Sequence, residues 1–176
     1  MFAVFNTEQL ECYTKIPQAV ATRQYESKSQ SFFLHGPAGI GKTFLYKFLC
    51  SCLRAKGQIV LCVASSRIAA QLLPGGRTAH SRFKIPLSND IRGNCNITKN
   101  SNLAELLRQT ALIIWDEVPM QHKAYFEAVN RTLNNICGRE NDSIFGGILI
   151  VLRGGFRVLL TLRADSSKIN SGNGSD

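Results

Sequence analysis

Short continuous apolar runs alternate along this chain with longer stretches in which apolar side chains return every third or fourth position. The runs are residues 31–35, 58–64, 111–115 and 147–152. Continuous apolarity over so few residues predicts strands covered on both faces, as in a parallel sheet. Residues 6–24 place Leu10, Tyr13, Ile16 and Val20 on one helical face, with Thr7 as a candidate N-cap. Helices are also predicted over 44–56, over 102–109, and over 65–73 with Pro74-Gly75-Gly76 closing it. Residues 119–137 carry Phe126, Val129, Leu133 and Ile136 at helical spacing, a stripe most simply explained by core packing. Gly138 is placed to cap that helix. Residues 86–101 are polar and read as a loop. Strands alternating with helices predict an α/β fold: a parallel sheet with helices on both faces. No internal repeat is visible.

The chain has 176 residues, the size of one α/β domain, and no apolar run of transmembrane length. Glu8 and Glu11 lie near the start with no basic-then-apolar order, so neither a secretory signal nor a transit peptide is expected. The expectation is therefore an intracellular protein without a membrane partner. Cys12, Cys50, Cys52, Cys62, Cys95 and Cys137 form no C-x-x-C pair and read as free thiols, several of them buried. Composition turns polar and small after about residue 163, so a domain over 1–162 and a disordered tail over 163–176 are expected.

The net charge is +9 and unevenly spread: +4 over residues 1–60, +5 over 61–110 and zero over 111–176. Such a bias suits a polyanion, nucleic acid being the commonest, and suits simple solubility equally well.

The chemistry lies in two places. Gly36-Pro37-Ala38-Gly39-Ile40-Gly41-Lys42-Thr43 reads G-x-x-x-x-G-K-T, between a strand and a helix. Gly36, Gly39 and Gly41 let backbone amides turn inward around phosphate oxygens. The helix N-terminus adds its positive dipole end. Lys42 reaches the β- and γ-phosphates, and the Thr43 hydroxyl is a candidate Mg²⁺ ligand. This is the phosphate loop of a P-loop NTPase, and ATP is the expected nucleotide.

The second place is residues 112–117, Leu-Ile-Ile-Trp-Asp-Glu. An isolated Asp-Glu after a strand is usually a solvated turn. About seventy residues after a phosphate loop, it completes the nucleotide site. Asp116 is the second candidate to hold Mg²⁺, usually through water, and Glu117 the group that orients or deprotonates the attacking water. Lys42, Asp116 and Glu117 are thus the candidate catalytic residues. Upstream, the amide of Gln9 can donate to and accept from an adenine edge, although an exposed glutamine at a helix start is the plainer explanation.

Further strings accompany these, the most specific being G-R-T-A-H-S…F-K-I-P, which no generic P-loop ATPase requires. They are Phe5-Asn6-Thr7-Glu8-Gln9, Ala64-Ser65-Ser66-Arg67-Ile68-Ala69-Ala70, and Gly75-Gly76-Arg77-Thr78-Ala79-His80-Ser81 with Phe83-Lys84-Ile85-Pro86. Trp115 to Met120 and Phe145-Gly146-Gly147 with Gly154-Gly155-Phe156-Arg157 complete the set. Together with the phosphate loop they resemble the Pif family of superfamily-one DNA helicases, including the helicase portion of Helitron transposons. The resemblance covers about residues 5–160. It implies a RecA-like P-loop fold and ATP-dependent, 5′-to-3′ unwinding of DNA in genome maintenance, repair, recombination or transposition. The nucleus is the implied compartment, with the mitochondrion as alternative. It implies that Gln9 reads adenine and that the segment from Ser65 to Lys84 follows single-stranded or forked DNA. Ser65, Ser66, Thr78 and His80 offer donors to phosphate there, and Arg77 and Lys84, with Arg67 and Arg82, offer charge. Phe83 can stack on a base or pack in the core.

The chain departs from the family pattern. Where the family reads G-G-D-F-R-Q, this sequence runs Arg153-Gly154-Gly155-Phe156-Arg157-Val158. Gly155 replaces the acid, and Val158 replaces a glutamine that senses the γ-phosphate; valine cannot hydrogen-bond to it. Arg67 stands where glycine is usual. The chain also stops where the first of two motor domains is still finishing, so a fragment is expected. An arginine reaching the nucleotide from a second domain contributes about 10³–10⁵ in rate in comparable enzymes. Weak nucleotide binding, poor hydrolysis and no unwinding are expected of this polypeptide alone. The identity expected is an ATP-dependent helicase. The alternatives are a non-catalytic remnant that binds ATP and single strands, and a P-loop ATPase of another class, against which the G-R-T-A-H-S string argues.

Overall fold

The computed structural model describes residues 7–22, 31–34, 42–86, 93–117, 123–138 and 143–153. In chain order the elements are α1 (Thr7–Thr22), β1 (Ser31–Leu34), α2 (Lys42–Ala55), β2 (Ile59–Ala64), α3 (Arg67–Leu72), β3 (Arg77–Thr78) and α4 (Ala79–Phe83). They continue with α5 (Asn102–Arg108), β4 (Thr110–Asp116), α6 (Lys123–Cys137), a 3₁₀ turn (Ile144–Gly147) and β5 (Leu149–Arg153). The strands pair in parallel in the order β1-β5-β4-β2-β3.

The expected two-faced sheet is present, and its register explains the apolar runs. Val60, Cys62 and Ala64 of β2, with Leu112 and Ile114 of β4 and Val151 of β5, face one layer. Ile16 and Val20 of α1, Leu45, Tyr46, Leu49 and Leu53 of α2, and Ala69 and Ala70 of α3 cover them. The alternate residues, Leu61, Val63, Ile113, Trp115, Ile150 and Leu152, meet α4, α5 and α6 on the other face. A strand covered on both sides has no polar face, so period-two alternation disappears from its sequence. All seven residues of β4 are buried. At about 1.5–3 kcal/mol for each large apolar side chain buried, the two layers supply the dominant favourable contribution to folding.

Trp115 anchors the second layer. Its ring stacks on Phe126 at 4.3 Å between centroids and lies 5.3 Å from Phe83. Phe83 is therefore core, which settles the two roles open to it. Phe126, Val129, Leu133 and Ile136 all point into this layer, as their spacing required. All six cysteines are free, and Cys50, Cys62 and Cys95 are buried.

Several boundaries differ from expectation. α1 is described from Thr7 onward, the residue expected to cap it. Ser65 and Ser66 precede α3, whose N-cap is Ser66. The last strand begins at Leu149 rather than at residue 147, because Phe145, Gly146 and Gly147 take positive φ and form a turn. α6 holds that turn: Asn130 Oδ1 accepts the Phe145 N–H at 2.6 Å, and Asn134 Oδ1 accepts the Gly146 N–H. A Cβ on Gly146 would stand 2.6 Å from the Leu133 carbonyl oxygen, so glycine is required there. The short β3 and α4 had no counterpart in the apolar pattern. The expected helix over 119–122, the tail over 163–176 and Gly154 to Val158 lie outside the described residues.

Candidate nucleotide and DNA site

Parallel strands bring their carboxyl ends to one edge of a sheet, and ligands gather there. Ala64 of β2 pairs with Asp116 of β4 on one side and with Thr78 of β3 on the other. That register places Ser65 and Ser66, Arg77 and Thr78, and Asp116 and Glu117 side by side. β1, which leads toward residues 36–41, stands at the sheet's far end, and β5 lies between it and β4. Asp116 therefore does not adjoin the phosphate-loop strand directly.

β5 fills that gap with charge. Leu34 at the end of β1 pairs with Arg153 at the end of β5. Arg153 in turn reaches Asp116: its Nη1 lies 3.0 Å from Oδ1 and 2.8 Å from Oδ2. Asp116 Oδ1 also accepts the Glu117 N–H at 2.9 Å. The Asp116 side chain is 5% exposed and that of Arg153 29%. Both oxygens of the carboxylate are thus bound by protein donors in a nearly water-free position. The Tyr46 hydroxyl, on α2, is buried with no hydrogen-bond partner among the described residues. Burial, and then the charge of Asp116, push this phenol far up; Arg153 opposes them.

Glu117 is held from the opposite direction. It takes a left-handed backbone, φ 57°. Its carbonyl accepts the Ser65 hydroxyl at 2.6 Å, and its Oε2 accepts the Ser66 hydroxyl at 3.0 Å. Ser66 Oγ meanwhile caps α3 by accepting the Ala69 N–H at 3.1 Å. The segment expected to follow DNA and the carboxylate expected to orient water are therefore bonded to each other.

Beyond them the edge is basic. Arg77 and Lys84 are exposed, and Lys84 ends α4 in the left-handed region at φ 52°. Thr78 Oγ1 caps α4 by accepting the Ser81 N–H at 3.3 Å. His80 is half-buried, its ring edge-on to Tyr125 at 4.7 Å. The Arg82 guanidinium is held below its usual range by burial and by Arg77.

The nucleotide half is described only in part. Lys42 and Thr43 open α2, the position their motif requires, and Thr43 is half-buried. Gln9 lies in the first turns of α1. Gly36, Gly39 and Gly41 lie outside the described residues. Magnesium was expected on Thr43 and Asp116. As arranged, the residues do not fit a directly bound metal: a divalent ion on Asp116 would sit against the like charge of the guanidinium that already donates to both of its oxygens. Among the described residues no three His, Cys, Asp or Glu side chains cluster as metal ligands. Sequence reasoning missed the Arg153 contact, because it arises from the β4–β5 register. It also missed the two serine bonds to Glu117, which follow from the β2–β4 register.

The model of the PIF1-like helicase family matches residues 4–174. The chain is similar to the ATP-dependent DNA helicase Pif1 of Psychrobacter sp. strain PRwf-1, 36% identical over 129 residues, covering 72% of this chain and 19% of that protein. It is similar to the ATP-dependent DNA helicase PIF4 of Trypanosoma brucei brucei, 32% identical over 132 residues, covering 73% and 16%. The chain thus spans less than a fifth of the length of these two relatives. Its fold is similar to the crystal structure of Pif1 helicase from Candida albicans, with a TM-score of 0.68 at 27% identity, covering 88% of this chain and 33% of that one. It is also similar to Bacteroides Pif1 in complex with ADP-AlF3 and single-stranded DNA, with a TM-score of 0.64 at 26% identity, covering 87% and 32%. With the family model matching residues 4–174 and the fold in agreement, the chain belongs to the PIF1-like helicase family.

Proposed function

We propose that this chain is the nucleotide- and DNA-binding part of the first motor domain of an ATP-dependent DNA helicase. The whole protein unwinds single-strand-bearing or forked DNA 5′ to 3′ in genome maintenance, recombination or repair, with the nucleus as its compartment. In this reading the amides of Gly36, Gly39 and Gly41 and the Lys42 ammonium hold the phosphates. Gln9 meets the adenine edge, and Glu117 orients water. Ser65, Ser66, Arg77, Thr78, His80 and Lys84 follow the strand. The observation that carries the reading is the Ser66–Glu117 hydrogen bond. It gives a strand lying on the 65–84 segment a physical route to the residue that would direct hydrolysis.

A second reading, binding of ATP and single strands without turnover, is favoured by the Arg153–Asp116 pair. Titration with labelled ATP and turnover with and without single-stranded DNA test both. Lys42→Ala is expected to abolish ATP binding, because the phosphates lose the ammonium of the phosphate loop itself; unchanged affinity removes the phosphate-loop assignment. DNA-stimulated turnover by the wild type selects the first reading. Binding of ATP and DNA without turnover selects the second.

A further inference from the structure

We propose that Arg153 takes the cation position on Asp116, so that this chain binds nucleotide without a divalent metal. The inference rests on residues 36–43 being a phosphate loop, and it concerns the same site.

The position of Arg153 carries it. In the sheet this residue pairs with Leu34, two positions before Gly36, on one side and reaches Asp116 of β4 on the other. It stands between β1, the strand that leads toward the phosphate-loop motif, and the carboxylate of Asp116. The family pattern G-G-D-F-R-Q has glycine at this point, which has no side chain to place there.

A guanidinium is always charged, and its planar donors match a carboxylate. Nη1 alone contacts both Asp116 oxygens. Among the described residues the remaining Arg153 donors have no partner, so the group can turn other N–H bonds toward phosphate oxygens. It supplies one positive charge to them permanently. It cannot supply the open coordination position that a metal offers to water. Binding of nucleotide is therefore retained without chelatable metal.

The test is titration of the full chain with a fluorescent ADP, in EDTA and in excess Mg²⁺, for wild type, Arg153→Gly and Arg153→Gln. The wild-type affinities are expected to agree within about twofold. Both variants are expected to bind at least about tenfold more tightly with Mg²⁺ than with EDTA, a difference of about 1.4 kcal/mol. The glutamine variant keeps side-chain bulk in case the glycine variant does not fold. A wild-type affinity that itself rises tenfold with Mg²⁺ overturns the inference and leaves the phosphate-loop assignment standing. Variants as indifferent to Mg²⁺ as the wild type overturn it as well. Absence of ADP binding by every protein in both buffers removes the phosphate loop, and this inference with it.

Discussion

The end of β4 and the end of β3 lie on the same edge of the sheet, two strands apart, and treat charge in opposite ways. At β4, Asp116 and Glu117 turn their oxygens to protein donors: Arg153 and a backbone amide for the first, Ser66 for the second. At β3, Arg77 and Lys84 stand exposed, and among the described residues neither makes an ion pair. Groups satisfied internally contribute to the fold and resist new partners. Groups left in water contribute little to the fold and are available to a polyanion. The comparison separates a region proposed to face nucleotide, whose polar chemistry is largely satisfied by the protein, from a region proposed to face DNA, whose cations are open.

The strongest way to break that contrast is to remove Asp116. Asp116→Ala leaves the Arg153 guanidinium half-sequestered without its counter-ion. Breaking a buried pair from one side costs about 3–5 kcal/mol, and the lower end applies because Arg153 keeps 29% of its side-chain surface in water. A loss of about 3 kcal/mol in denaturant unfolding is expected. A loss below about 0.5 kcal/mol, the usual scale for exposed positions, would mean that the β4 end is no more integrated than the β3 end.

Alkaline pH probes the same interior. Tyr46 has a folded pKa pushed far above its ordinary 10.0, first by burial and then by Asp116. Below pH 10 both folded and unfolded chains hold this proton, and the contribution to stability is complete. As pH rises past 10 the unfolded chain ionises first and binds fewer protons, so stability falls by about 1.4 kcal/mol per pH unit from this group. Tyr46→Phe is expected to flatten that part of the limb and to be near neutral at pH 7, since among the described residues the phenol has no partner to lose. A constant wild-type-to-variant difference up to pH 11.5, about 1.5 units above the ordinary value, would refute the assignment.

Ser66 joins the two regions. Ser66→Ala removes the α3 cap and the bond to Glu117 together. About 1 kcal/mol of stability is expected to go. Any DNA stimulation of hydrolysis in the whole helicase should fall as well. Ser66→Thr keeps the hydroxyl and should restore both, which separates a link between sites from a simple cap.

How much of this was legible in the sequence follows from which facts are local. β2 and β4 were visible because burial on both faces leaves residues 59–64 and 111–115 without a polar position. The α6 stripe was visible because a helix face repeats within four residues. β3 was not, because two residues, Arg77 and Thr78, are too few to show a period. The start of β5 was misplaced because Gly147 reads as strand in an apolar run, although its φ is 73°. The β4 carboxylates were found by their distance from Lys42 and Thr43 along the chain. Their partners were not, because Arg153 and Asp116 are 37 residues apart and meet only through strand register. A motif states which residues a site uses. It does not state what else the fold has brought to the same atoms.

The smallest expected change in stability belongs to the β3 end and carries the sharpest functional readout. Arg77→Gln removes an exposed charge from a two-residue strand. Lys84→Asn removes another while keeping a residue that tolerates the left-handed backbone at φ 52°. Together they should shift unfolding by no more than about 0.5 kcal/mol. Binding of single-stranded DNA should nonetheless weaken. The slope of log affinity against log salt should drop by about one for each phosphate the protein no longer neutralises, about two in all. The same pair of substitutions should leave nucleotide affinity unchanged, because neither side chain lies on the β5 side of β4. An unaltered salt slope would show that the strand does not run over this edge. The open cations of β3 would then only balance the charge of a solvated surface, and the division between the two regions would concern folding alone.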